Sequence, residues 1–277
     1  MSNLVNGFCL LTAESDRFTI TPDLLTTAPN GILALEGDDL VTGSSGEDTI
    51  NGNQGNDTLQ GESGADRMWG GQDLDFLSGG EGNDIINGNK GNDIVFGGDG
   101  DDVLRGGQDT DALTGEAGDD TLFGDKGSDV LAGGAGQDLF VVSIPDDATE
   151  FDGILDFNTT EADQIGLPPN LTETDLLLQP VNLPIDQALL DNVISIAETQ
   201  GLSITPELIG LITPEVIRQI VIENTGVDID PDGDNILTGT SVTVASTNQT
   251  LAQIVNVVPS DLSGVFITLS EAQLSIG

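Results

Sequence analysis

From Ala34 to Val141 the chain runs as twelve consecutive blocks of nine residues with no insertion. Strict repetition at so short a period restricts the fold more than any other feature. One block is too small to bury a core, so each must stack on its neighbours. The block Gly97-Gly-Asp-Gly-Asp-Asp-Val-Leu-Arg105 shows the pattern. Position one is Gly in eleven of the twelve blocks, with Ala34 the exception. Position four is Gly in ten, with Asp73 and Asp109 in its place in the other two. Position six is Asp in all twelve. Position eight is always apolar: Val41, Ile50, Leu59, Met68, Leu77, Ile86, Val95, Leu104, Leu113, Leu122, Leu131 and Phe140.

The glycines at positions one and four admit positive φ, so the first six residues of a block predict a tight turn. Residues seven to nine predict a short extended run, with position eight inward and positions seven and nine outward. Successive runs must then coil so that the position-eight side chains form one continuous apolar column. Two blocks make one coil of 18 residues. Turns alternate between two edges, and each stacks on the turn two blocks later. Six coils at a strand spacing of about 4.8 Å predict a rod roughly 29 Å long.

Such stacking piles the position-six carboxylates into two columns. Residues 34–141 hold 24 acidic and 4 basic residues, and the turn carbonyls add partial negative charge to the same edges. Four cations cannot serve twelve turns, so the pattern calls for a divalent ion. Carboxylate and carbonyl oxygens without imidazole or thiolate select a hard ion. Flexible Gly turns suit calcium better than magnesium, which demands strict octahedral geometry. One ion between each turn and the turn two blocks on gives about ten ions, whose charge matches the net −20 of the repeat region.

Composition closes off other classes. Asp plus Glu is 48 against 6 Lys plus Arg, a formal charge of −42. A chain this acidic is repelled by nucleic acid and by anionic lipid. There is no His, which removes Ser-His-Asp and Cys-His machinery and His-ligated zinc. Cys9 is the sole cysteine, so no internal disulfide forms. With no His to activate it, a buried apolar filler is favoured over a nucleophile. No apolar stretch reaches the roughly 18 residues a membrane span needs. The N-terminal residues do not read as a cleavable export leader. A hydrophobic fraction of 37% argues against disorder of the whole chain.

Residues 34–141 resemble the RTX, or hemolysin-type, calcium-binding nonapeptide repeat, Gly-Gly-x-Gly-x-Asp-x-apolar-x. The resemblance implies a mainly β fold built on a calcium-bound parallel β-roll. It also implies export by a type I secretion system and folding triggered by extracellular calcium. Carried over residue by residue, the bridging ligands are Asp39, Asp48, Asp57, Asp66, Asp75, Asp84, Asp93, Asp102, Asp111, Asp120, Asp129 and Asp138. Carbonyls at position one (Gly43, Gly52, Gly61, Gly70, Gly79, Gly88, Gly97, Gly106, Gly115, Gly124), at position three, and at position four (Gly46, Gly55, Gly64, Gly82, Gly91, Gly100, Gly118, Gly127) complete the implied shells.

Some positions depart from the pattern. Position two is Gly in only five blocks; Ser44, Asn53, Glu62, Asn89, Glu116, Asp125 and Leu35 occupy it elsewhere, and weaker binding is expected at those turns. Asp73 and Asp109 read either as extra ligands or as tolerated turn residues. The first block, Ala34 to Thr42, reads as a cap.

Three regions follow: an N-terminal β cap (1–33), the roll (34–142), and a C-terminal β-rich capping and secretion region (143–277) with a helical insertion over 184–225. Asp152-Gly-Ile-Leu-Asp-Phe157 and Asp163-Gln-Ile-Gly-Leu167 look like the closing strands that follow RTX rolls. Ser241–Ala245, Ala252–Val258 and Gly264–Leu269 also read as strands. Apolar residues at helical spacing fill 186–199 and 206–224. They read as core, with a self-association face as the alternative. Asp228, Asp230 and Asp232 begin an EF-hand-like loop, but the twelfth position is Gly239 rather than Glu; the alternatives are a lone calcium loop and a stray roll-like turn. No Lys or Arg follows Arg218, which fits a C-terminal type I export signal.

These readings point to an exported, non-enzymatic calcium-binding protein, secreted or held at the cell surface. Its role would be structural: adhesion, a surface layer or a self-assembling filament. Calcium and the type I secretion machinery are the expected partners, with a homo-oligomer and a surface glycan as further candidates. The alternative is an extracellular enzyme acting on polysaccharide through a carboxylate pair. A calcium buffer or stress protein is a third reading.

Overall fold

The structure is a computed structural model, and it describes residues 3–21, 24, 31–145, 150–184, 236–255 and 257–274. Through the repeats the chain forms strands of six residues, such as Thr49–Gln54, Arg67–Gln72, Ile85–Lys90 and Ile94–Asp99. Each covers positions seven to nine of one block and positions one to three of the next. The expected three-residue run and six-residue turn are corrected accordingly: only positions four to six turn. The pleat explains the extra length. Along Ile85–Lys90, Ile86 and Gly88 are buried while Ile85, Asn87 and Asn89 are half-buried. Position one therefore continues the inward alternation that position eight begins.

Positive φ falls at positions two and four, not at position one. Gly71 (129°) and Gly55 (116°) are examples, and Asn53 (75°), Asn89 (75°) and Glu116 (77°) hold the same left-handed conformation at position two. Ser44 is not among the positive-φ residues. Most departures from Gly at position two thus leave the backbone course unchanged, at the cost of local strain.

Two sheets of eleven strands each face one another among the described residues. Strands alternate between them, so each pairs in parallel with the strand two blocks away. Ile85 pairs with Val103 and with Arg67 in one sheet; Ile94 pairs with Ala112 and with Phe76 in the other. The position-eight side chains lie between the sheets, every one at most 1% exposed. The fold is therefore the parallel β-solenoid that the period implies. Cys9 joins the same core at 2% exposure.

The roll runs on past the repeats at both ends. Phe8–Leu10 pairs in parallel with Gly31–Glu36, and Arg17–Thr19 with Leu40–Thr42. The first block is thus an internal rung, which corrects its reading as a cap. Asp152–Ile154 and Gln164–Leu167 add rungs at the other end, followed by Gln249–Val255 and Phe266–Thr268. Leu176–Pro184, Ile236–Val244 and Gln249–Val255 form an antiparallel meander on the second sheet. The short helix Glu271–Leu274 follows the last strand. The expected helices over 186–224 and the Asp228–Asp232 loop lie outside the described residues. Among the described residues no helix is long and apolar enough to cross a membrane.

The apolar column carries one inward side chain per block, so each matters. Leu104→Ala is expected to lower the unfolding free energy of the calcium-loaded protein by about 2–5 kcal/mol, read as a fall in the urea midpoint. A midpoint within error of wild type would mean that the column is not the core.

Candidate metal sites in the turns

The position-six aspartates are where the turns meet. All twelve are at most 3% exposed. In each column the backbone N–H of one aspartate donates to Oδ1 of the next. Asp39 N bonds Asp57 Oδ1 at 2.8 Å, Asp57 N bonds Asp75 Oδ1 at 2.8 Å, and Asp75 N bonds Asp93 Oδ1 at 2.8 Å. On the other edge Asp48 N reaches Asp66 Oδ1 at 2.7 Å and Asp84 N reaches Asp102 Oδ1 at 2.7 Å. The aspartates thereby satisfy turn donors that the strands cannot.

The second carboxylate oxygen is left over. One side-chain oxygen of eleven of these aspartates, Asp39 through Asp129, is buried and has no hydrogen-bond partner among the described residues. The atom is Oδ2 in all but Asp48. In that block Ser44 N–H donates to Asp48 Oδ2 at 2.6 Å, and Oδ1 is the orphan. A buried carboxylate oxygen without a donor is costly unless a cation meets it.

Position one explains itself at the same spot. A Cβ on Gly88 would collide with Oδ2 of Asp93 and lie 2.7 Å from the Gly106 carbonyl oxygen; on Gly97 it would collide with Oδ2 of Asp102 and lie 2.8 Å from the Gly115 carbonyl oxygen. The glycine is required for space, and the orphan oxygen and a carbonyl from the next coil converge over it. Among the described residues no three acidic or other ligating side chains cluster on one point. A cation here must therefore draw on backbone carbonyls as well as carboxylate. That donor set, all oxygen and anionic, fits calcium, which would supply the positive charge these edges lack.

Asp73 and Asp109 are exposed and adopt φ of 75° and 79°, the left-handed turn conformation. Neither side chain makes a hydrogen bond among the described residues, and their position-four carbonyls lie under Gly91 and Gly127.

Two sets of residues lie outside the aspartate columns expected from the sequence, although Asp152 and Asp163 fall in its expected closing strands. The first continues the columns beyond the repeats. Asp16 N donates to Asp39 Oδ1 at 2.7 Å, Asp129 N to Asp152 Oδ1 at 3.3 Å and Asp138 N to Asp163 Oδ1 at 3.0 Å. Each of these outer aspartates precedes an apolar residue by two (Phe18, Ile154, Ile165), the spacing of positions six and eight. The second set is position five. Asn83 Oδ1 accepts from Asp101 N at 3.2 Å, Asp101 Oδ1 from Asp119 N at 3.0 Å, and Asp119 Oδ1 from Gln137 N at 2.8 Å. Asn or Asp there ties successive turns together; the signal was its recurrence at a position that carries no consensus residue.

Burial makes the column hard to ionise without a metal. It pushes Asp75 and Asp111 up to about 9, Asp102 to about 8 and Asp57, Asp66, Asp93 and Asp138 to about 7. The N–H bond to Oδ1 opposes the shift, and in most of them neighbouring carboxylates in the column reinforce it. Because these values lie above the ordinary 3.8, protonation stabilises the metal-free roll at low pH. That support is lost as pH rises through about 7 to 9. In calcium-free buffer the far-UV circular-dichroism strand signal is therefore expected to grow as pH is lowered from 9.5 to 5.5. A signal that is flat or falls over that window would contradict the buried, unpaired carboxylates.

A family model for the RTX calcium-binding nonapeptide repeat, written in four copies, matches residues 33–68, 42–77, 69–104, 78–113 and 105–140. No curated protein matches the sequence. The matched spans together run from 33 to 140, one residue ahead of the block array at each end, and the aspartate columns and glycine cradles described above recur within them. Residues 33–140 of this chain are thus a stack of RTX calcium-binding nonapeptide repeats, wound as a parallel β-roll.

Proposed function

We propose that this is an exported protein whose roll folds on extracellular calcium and then serves a structural, non-enzymatic role at the cell surface or in the matrix. The observation that carries this is the row of buried carboxylate oxygens without donors. In a calcium-poor cytosol the repeat region is a Gly-rich, self-repelling chain with one inward apolar side chain per block at position eight. Outside, calcium binds only the turn geometry, so binding free energy becomes folding free energy. An ion sits between each turn and the turn two blocks on, held by position-six carboxylates and by carbonyls of positions one, three and four. Full occupancy gives about ten ions. Type I secretion suits a chain that must pass a channel unfolded. The roll aspartates are committed to backbone N–H groups and to metal, which supports a structural role over catalysis by a carboxylate pair.

Chelation at pH 8 is expected to abolish the strand signal of the full-length protein, and calcium to restore it cooperatively. Asp102→Ala should raise the calcium concentration at the folding midpoint by about tenfold, as expected for loss of one charge-assisted contact. Full strand signal in excess chelator would overturn the folding switch. Fractionation of the producing cells should place the protein in the medium or on the envelope; a cytosolic pool alone would overturn the extracellular role.

A further inference from the structure

The two faces of the roll are built alike and decorated differently. In the sheet that contains Arg67–Gln72, the strands from Gly31–Glu36 to Thr121–Lys126 carry Arg67, Lys90, Arg105 and Lys126 against only Glu36 and Asp125. The other sheet places Glu62, Glu81, Asp99 and Glu116 in the matching strands, with no cation from Leu40 to Ala135. Three adjacent strands of the first face, Thr49–Gln54, Arg67–Gln72 and Ile85–Lys90, hold no acid at all. In a chain of net charge −42, these acid-free strands set the strip apart from the acidic face opposite.

The strip's chemistry is specific. Trp69, the only Trp in the chain, points outward and is half-buried. Its row neighbours on the adjoining strands are Asn51 and Asn87, in register on either side. Asn53 and Asn89 lie one step along the same strands, and their Nδ2 groups donate to the carbonyls of Asn51 and Asn87 at 3.3 Å. These bonds fix the Asn53 and Asn89 amides, and the Asn89 N–H, which donates to Asn87 Oδ1 at 2.9 Å, fixes the Asn87 amide. Neither Arg67 nor Lys90 forms an ion pair among the described residues; the one ion pair there is Arg105 with Asp125. A groove of about 300 Å³ opens on each side of Trp69, one toward Phe8 and Leu33 and one toward Gln72 and Lys90.

We infer that this strip binds an uncharged polysaccharide, with a sugar ring stacked on the Trp69 indole and its hydroxyls bonded by the flanking amides. The flat indole presents a π-face to the axial C–H groups of a pyranose. Primary amides offer a donor and an acceptor side by side, which matches vicinal hydroxyls. Lys90 and Arg67 donate to hydroxyl and ring oxygens. Charge complementarity decides the ligand class. The rows beside Trp69 are neutral amides, Asn51, Asn53, Asn87 and Asn89, on strands with no carboxylate to desolvate, so uncharged hydroxyls are their match. The grooves on the two sides let the glycan run across the strands, whose separation is close to one sugar unit of an extended chain. The inference deepens the extracellular reading and rests on it for access to glycan, but its test on purified protein reads the site alone.

The experiment uses the calcium-saturated full-length protein in native electrophoresis through gels cast with hydroxyethylcellulose, laminarin or alginate. Because Trp69 is the only Trp, its fluorescence reports the site directly in parallel titrations. Retardation by a neutral polysaccharide with a blue shift of the emission is expected. Trp69→Ala should weaken the retardation by about tenfold, and Asn87→Ala by a smaller factor. Calcium-dependent circular dichroism of each variant checks that the roll still folds, and Trp69→Phe, which keeps a flat ring, should retain part of the binding. Retardation by alginate alone, no retardation in any gel, or unchanged binding by a folded Trp69→Ala variant would each overturn the inference. So would self-association through the strip, seen as a larger species by light scattering that Trp69→Ala abolishes. Loss of calcium-dependent folding in the wild-type chain would instead count against the folding switch.

Discussion

The whole roll depends on a carboxylate placed where water cannot reach it. Position six sits at the inner corner of every turn, where one oxygen takes a backbone N–H from the adjacent coil and the other faces its own position-one glycine. The first bond closes the turn. The second oxygen makes the turn unstable alone, because an ionised, unpaired oxygen in a dry site costs several kcal/mol. A proton or a divalent cation can relieve it, and at neutral pH the cation is the stronger remedy. The apolar column cannot override the problem, since each nine-residue block contributes a single inward side chain from position eight. Under the proposed function folding and ion binding are one event, and the Gly and Asp spacing that shapes the turn recurs through the twelve blocks.

Positions one and six act as a pair. The glycine at position one has an ordinary φ, so conformational freedom does not explain it. It is there because the carboxylate and a carbonyl of the next coil occupy the space a Cβ would take. Block two shows the alternative. Ser44 has no positive φ, and its N–H turns inward to satisfy Asp48 Oδ2. Where position two adopts the left-handed conformation, as at Asn89, its N–H donates instead to Asn87 Oδ1, and Oδ2 of Asp93 is left without a donor. The strain at position two is thus linked to the openness of the site, which is why side chains other than glycine are tolerated there without changing the turn.

The period, the two-edged stacking and the inward column were legible because they depend only on spacing: Ile86 and Leu104 had to meet whatever the turns did. The length of the strands was not, because Gly has no side chain to reveal that position one points inward. Position five was silent for another reason. Asn83, Asp101 and Asp119 differ in identity yet do the same work, since either side chain offers an Oδ1 to the N–H above. The outer rungs escaped a strict period. Asp152 and Asp163 follow their column neighbours by 23 and 25 residues instead of 18, because loops enter the coil while the rung itself is kept. Only the Asp-x-apolar triplet survives there, and three residues are a weak sign until a neighbouring strand gives them a register.

An 18-residue coil built from two nine-residue blocks also separates the protein's chemistry by parity. Alternate strands send their outward residues to different sheets, so each face can vary without disturbing the other or the core. Calcium neutralises the edges, where both parities meet, and leaves the faces to decide what the folded roll touches. One face keeps acids beside Phe76 and Phe96, whose rings lie 5.5 Å apart. The other gathers the cations and Trp69, and near its C-terminal end Arg105 stacks 4.2 Å from the Phe123 ring while bonding Asp125 and the Leu274 carbonyl. That end of the face is already covered by the chain's own last segment, with Leu269 packed against Phe123 and Val141. Among the described residues that cover does not extend to the strip around Trp69, so the same sheet both anchors the C-terminal segment and presents the strip on which the inferred glycan site rests.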